Sequence, residues 1–163
     1  MSITRYGMIG LGLAACVVMA PPADANDSGS YQPPQAAAGE QMDLTKARAA
    51  IAAKNWSGAI AILYPISQSS PQDADVENLL GYSYRMLGQY PQAFTYYNKA
   101  LAIDPAHKGA LEYEGEAYIE TNQLPKAERN LATLKRACGA IGCPEIAQLE
   151  SAIGRYKKQA KVN

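Results

Sequence analysis

The chain has 163 residues but only one histidine, one tryptophan, one phenylalanine and three cysteines. Each scarcity removes a class of chemistry. His107 stands alone beside the breaker pair Asp104-Pro105, so no second imidazole can share a metal, and a lone histidine in a turn is a poor base for a nucleophile. Glycine-rich phosphate loops, dinucleotide fingerprints and metal-ligand spacings are absent. Gly7, Gly10 and Gly12 belong to an apolar N-terminal run instead. Neither sign of charge dominates, with 15 basic residues against 15 acidic ones. Nucleic-acid backbones need clustered positive charge, which this balance does not supply. No apolar stretch reaches the ~20 residues of a membrane-spanning helix. No catalytic residue, metal, cofactor or small-molecule substrate is expected.

What the N-terminus does contain is a leader pattern. Arg5 is the only early charge, residues 7–20 are apolar throughout, and Ala23-Asp24-Ala25 offers a small-x-small cleavage site. Residues 1–25 therefore read as a secretory signal peptide. A second reading stays open. Leu13-Ala14-Ala15-Cys16 resembles a lipobox, which would lipid-anchor the chain through Cys16, yet Val17-Val18-Met19-Ala20 stays apolar where a lipoprotein turns polar. Both readings export the protein, and a bacterial periplasm suits either. Residues 26–39 are rich in Ser, Gly, Pro, Gln and Ala without a helical period, and read as a flexible linker.

From residue 40 the chain repeats itself. Glu77, Leu80, Gly81, Tyr84, Tyr90, Ala93, Tyr97, Ala100 and Pro105 form one set. Leu111, Gly115, Tyr118, Leu124, Ala127, Leu131 and Leu134 form the next, on a 34-residue period. Counting back by the same period, Trp56, Ala59, Leu63 and Pro71 continue the pattern, with Asp43, Lys46, Ala47 and Ala50 replacing larger first-helix residues. Such drift is normal in a terminal repeat that lacks one neighbour. The spacing of large apolar, Leu-Gly, Tyr, then Ala, aromatic and Pro resembles the tetratricopeptide repeat (TPR). The likeness is strongest in 74–107, good in 108–141 and modest in 40–73.

The resemblance implies an all-α fold, a right-handed TPR solenoid of helical hairpins. Three repeats (40–73, 74–107, 108–141) and a capping helix at 144–160 would make a TPR domain over 40–163. Gly81 and Gly115 would sit where the two helices of one hairpin approach closely, opposed by Ala93 and Ala127. Tyr84, Tyr97, Tyr118 and Leu131 would fill the space around that contact. Pro91, Pro125 and Pro144 suit first turns, where a missing N–H is no loss. Pro71 and Pro105 suit the turns between repeats. Pro65 departs from the pattern and is expected to kink or end its helix at Tyr64. Ile146, Leu149, Ile153 and Tyr156 form one apolar stripe for the capping helix.

Cys138 and Cys143 bracket Gly139-Ala140-Ile141-Gly142, between the third hairpin and that helix. In an oxidising compartment a structural disulfide is expected, stapling cap to repeat for about 2–3 kcal/mol. C-x4-C is not the C-x-x-C of a thiol–disulfide oxidoreductase, and two thiolates alone do not complete a zinc site.

In TPR proteins the first helices of successive hairpins line a concave groove. Carried onto this chain, the groove positions include Arg48 from repeat one. Repeat two adds Asn78, Tyr82, Arg85 and Met86, and repeat three adds Glu112, Glu116, Ile119 and Glu120. The charges imply a polarised groove, with Arg48 and Arg85 toward one end and the glutamates toward the other. A basic clamp for acidic tails is not reproduced, so a protein or peptide with a basic or mixed-charge segment fits better. The blander alternative makes Glu112, Glu114, Glu116 and Glu120 a solvated helix face. The functional expectation is a non-catalytic protein–protein interaction adaptor of the bacterial cell envelope. The alternative is a structural or assembly component that self-associates as a homo-oligomer or packs into a larger envelope complex.

Overall fold

The computed structural model describes residues 35–160, with side chains from Leu44 onward. The expected signal segment and most of the expected linker lie outside the described residues. Among those described there are seven α-helices, one 3-10 turn and no strand. Helix α1 runs Gln35–Ala52, α2 Trp56–Ser69, α3 Ala74–Met86 and α4 Tyr90–Ile103. Helix α5 runs Lys108–Glu120 and α6 Leu124–Cys138; the 3-10 turn Gly139–Ile141 leads to α7, Pro144–Ala160. Helices pair as α1/α2, α3/α4 and α5/α6, each second helix packs on the next first helix, and α7 covers α5 and α6. The architecture is an all-α solenoid of helical hairpins.

The turn inside each hairpin repeats atom for atom. Lys54, Gly88 and Asn122 all adopt a positive φ, at 57°, 73° and 58°. In each turn the N–H of the following residue reaches back to the first helix. Asn55 bonds Ala50 O at 2.8 Å, Gln89 bonds Tyr84 O at 2.9 Å, and Gln123 bonds Tyr118 O at 2.7 Å. This is a Schellman stop, which satisfies orphan carbonyls at a helix end. Glycine takes the left-handed position freely and asparagine tolerates it, while lysine adopts it at a cost of roughly 1–2 kcal/mol. The starts of the first helices repeat too. Asp73 accepts from Val76 N at 3.1 Å, and His107 Nδ1 accepts from Ala110 N at 3.1 Å.

Small residues set how closely the helices approach. A Cβ on Gly81 would lie 2.6 Å from the ring of Tyr97, which is fully buried on the partner helix of the same hairpin. Gly115 differs from expectation. A Cβ there would meet Leu149 of α7 at 2.8 Å, not a residue of α6. Leu131 occupies the position of Tyr97 but is shorter and half-buried, and Leu149 of α7 fills the space instead. Leu149 and Ile153 join Leu111, Ala127 and Leu134 in one core cluster.

Two boundaries move. α1 begins at Gln35, inside the stretch read as linker, because Gln35-Ala36-Ala37-Ala38 is strong helix-forming sequence. α2 does not end at Tyr64 but runs through Pro65 to Ser69. Buried Leu63 and Ile66 flank the proline and hold the helix to its neighbours. Two signature positions carry buried glutamates in place of apolar residues. Glu77 accepts from Ser67 Oγ at 2.5 Å with Lys99 Nζ at 3.8 Å. Glu114 accepts from Asn130 Nδ2 at 2.7 Å and Tyr118 Oη at 3.2 Å. Cys138 and Cys143 are disulfide-bonded, with Cα atoms 5.7 Å apart.

Candidate functional site

Helices α3 and α5 present facing rows of groove residues. Asn78, Tyr82 and Arg85 follow a three-to-four spacing along α3, and Glu112, Glu116 and Glu120 recur every fourth residue along α5. Such spacings keep side chains on one helix face. The two rows meet through Arg85. Its guanidinium pairs with Glu116 Oε2 at 2.8 Å and with Glu120 Oε1 at 2.8 Å, and its side chain is only 7% exposed. The same guanidinium lies 5.6 Å from the centroid of Tyr82 and 5.9 Å from that of Tyr113. Burial alone would depress the arginine's pKa, but the fields of Tyr97, Glu116 and Glu120 outweigh it and push the value up. Arg85 is therefore a fixed cation inside the groove wall.

The aromatic rings form a row. Tyr82 packs on Tyr113 with centroids 4.7 Å apart, and Trp56 meets Tyr82 edge-on at 5.8 Å. Three helices, α2, α3 and α5, each contribute one ring. Beyond α5 the row gives way to a cavity of about 170 Å³ lined by Glu116, Ile119 and Glu120 of α5 and by Ala152 and Tyr156 of α7. Helix α7 thus lines this cavity as well as closing the core.

The expected charge polarity is not what the structure holds. Arg85 is cross-linked to the glutamates rather than opposed to them. Arg48 is likewise occupied, pairing with Asp75 Oδ2 at 3.4 Å. Asp75 Oδ1 in turn sits 3.1 Å from His107 Nε2. Because His107 Nδ1 accepts a backbone N–H, its proton rests on Nε2 and is donated to Asp75. One chain of contacts, Arg48–Asp75–His107, therefore links three successive hairpins.

The solvated-face alternative fails for two of the glutamates. Glu112 and Glu114 are each 3% exposed. Glu114 points into its own hairpin and has no place in the groove. Glu112 faces inward near Glu116 and Glu145. Burial first, then these two carboxylates, push its pKa to about 7 despite Arg85. Burial also raises Glu120, against the opposing pull of Arg85.

Of the sequence-predicted residues, Met86 and Glu120 are exposed, and Tyr82, Glu116 and Ile119 are half-buried. Asn78 is buried, with its Oδ1 lacking a hydrogen-bond partner, and Arg85 Nε is buried in the same condition. Trp56 and Tyr113 escaped the sequence reading of the site. The repeat pattern accounts for Trp56 as a hairpin residue, and Tyr113 falls outside the usual groove positions. The excess of tyrosine, 11 in the chain, was the available signal.

Comparison with known proteins supports the fold. Residues 74–107 match the sequence model of the tetratricopeptide repeat. Over 55 residues the chain is 38% identical to "Uncharacterized protein ycf37" of Guillardia theta, covering 34% of this chain and 31% of that one. The match thus spans about a third of the length of that relative. The crystal structure of the Sgt2 TPR domain from Aspergillus fumigatus superposes with a TM-score of 0.68. It covers 80% of this chain and 84% of that chain at 19% identity. These likenesses show the fold, an all-α solenoid of helical hairpins with TPR-like packing, and one tetratricopeptide repeat at 74–107.

Proposed function

We propose that this chain is a protein-interaction adaptor that holds an extended segment of a partner across the α3–α5 face. The observation that carries this reading is the aromatic row Trp56–Tyr82–Tyr113 set around an already neutralised Arg85. Aromatic rings offer rigid apolar area with polar ends, which suits them to interfaces. Two glutamates share one arginine, so the face keeps acidic character. A partner segment with basic or mixed charge complements it, chiefly in specificity and encounter rate. We read the hairpins flanking 74–107 as further repeats of the same kind and α7 as their cap.

The compartment is part of the proposal. The leader pattern of residues 1–25 and the Cys138–Cys143 disulfide both favour an oxidising space outside the cytoplasm, the bacterial periplasm in this reading.

The test is crosslinked capture from intact cell envelope, with Tyr82→Ala, Met86→Ala and Glu120→Lys combined as the groove variant. Arg85 stays untouched because its loss would strand two carboxylates. A partner captured by wild type and lost in the folded variant supports the adaptor. Recovery of this chain alone, with mass rising with concentration, would replace the adaptor with a self-assembling component.

A further inference from the structure

Three ligand-type side chains converge where α6 meets α7. Cys138 ends α6, Cys143 directly precedes α7, and Glu145 lies in the first turn of α7. Their two sulfurs and one carboxylate oxygen all lie within 4.8 Å of one another. The helix dipole accounts for an acidic residue in that turn. It does not account for Glu145 Oε2, which is buried without a hydrogen-bond partner. Glu112 of α5 lies close enough to feel the charge of Glu145. While the sulfurs are bonded to each other the corner is closed to cations. Opening that bond would place two thiols beside Glu145, whose buried carboxylate oxygen has no partner.

We propose that reduction of the Cys138–Cys143 disulfide converts this corner into a site for a thiophilic divalent cation of the zinc class, ligated by both thiolates and Glu145. Zinc accepts sulfur and carboxylate oxygen together, and tetrahedral Zn–S bonds of about 2.3 Å set the two sulfurs about 3.8 Å apart. The Cα atoms, 5.7 Å apart, permit that separation by rotation of the cysteine side chains. Gly139 and Gly142, at φ 62° and 76°, let the intervening turn adjust where other residues would resist. Water takes the fourth position. Magnesium and calcium prefer all-oxygen sets and are excluded by the sulfurs. The site does not depend on the groove or on its partner.

The chemistry balances with a phosphine as reductant. The phosphine gives two electrons to the S–S bond and becomes its oxide by taking oxygen from water. The two protons of that water end on the two sulfurs. Metal binding then displaces both thiol protons to solvent.

The experiment titrates cobalt(II) into the full chain, as oxidised protein and as phosphine-reduced protein, with far-ultraviolet circular dichroism to confirm the fold. Reduced wild type is expected to bind one cobalt with a sulfur-to-metal charge-transfer band and tetrahedral visible bands. Oxidised wild type, which carries the same surface carboxylates, is expected to show neither. Cys143→Ser should abolish the charge-transfer signal at the same cobalt concentration. Glu145→Gln should weaken binding at least tenfold, since even supporting residues around a metal cost about 10–100-fold. No charge-transfer band in folded, reduced wild type overturns the proposal. So does equal cobalt affinity in Glu145→Gln, which would leave a bare dithiol.

Discussion

Gly81 and Glu112 show how much one side chain decides here. At Gly81 an added methyl would press into the Tyr97 ring, which has no room to retreat. Gly81→Ala is expected to lower stability by about 1–3 kcal/mol, the range for overpacked cores. Urea unfolding measures it, and an unchanged midpoint would mean the two helices separate freely. Glu112 makes a pH prediction. Its folded-state pKa of about 7 stands above the ordinary 4.5, so the native chain holds that proton more tightly than the unfolded one. Its contribution to stability is complete below the ordinary value and is lost as pH rises through about 7. Glu112→Gln should therefore unfold later than wild type at pH 8, by on the order of 1 kcal/mol, and show little gain at pH 4. A gain equal at both pH values would place the cause in packing. The glycine was legible in the sequence because the repeat demands it. The buried carboxyl was not, because a glutamate four residues from another reads as a wet helix face until a third helix covers it.

Among the elements, α2 departs furthest from its sequence pattern. Pro65 has no N–H for the carbonyl of Ala61, and both residues face solvent, where water can serve that carbonyl. The helix persists because Leu63, Ile66 and Ser67 are buried against their neighbours. Tertiary packing thus overrides a local breaker. Pro65→Ala should restore the missing bond and raise stability by about 1–3 kcal/mol, read from thermal or urea unfolding. A loss of stability would mean that α2 needs the bend a proline imposes. The turns of α1, α3 and α5 were half legible. Gly88 announces a left-handed stop, whereas Lys54 adopts the same geometry with no sequence signal. Its Schellman bonds and the packing of α1 on α2 impose it.

Across the whole molecule, stability is a chain of neighbour contacts, since each hairpin buries its face only against the next. Helix α7 closes that chain, with Leu149, Ala152 and Ile153 buried on α5 and α6. Each fully buried aliphatic side chain is worth about 1.5–3 kcal/mol. A chain ending after Gly142 should lose the third hairpin first. Amide exchange in α5 and α6 should accelerate by more than 100-fold, about 3 kcal/mol, while α2 and α3 keep most of their protection. Uniform acceleration everywhere would show one cooperative unit instead of a graded solenoid. The groove belongs to this scale as well. Arg85 and Glu120 lie 35 residues apart in sequence and meet only when two hairpins stack.

What the sequence determined by itself is the hairpin register. The positions of small residues, turn stops, prolines and helix starts recur every 34 residues. Prolines, helix caps and the glycine stop act through local backbone geometry, which needs no distant partner. What only the tertiary structure decided is which side chains confront one another across hairpins. Leu149 fills the gap at Gly115, Arg85 is neutralised by Glu116 and Glu120, and Trp56, Tyr82 and Tyr113 join in one row. The repeat sets where each Cα sits, but charge pairing and packing depend on side chains brought together by stacking.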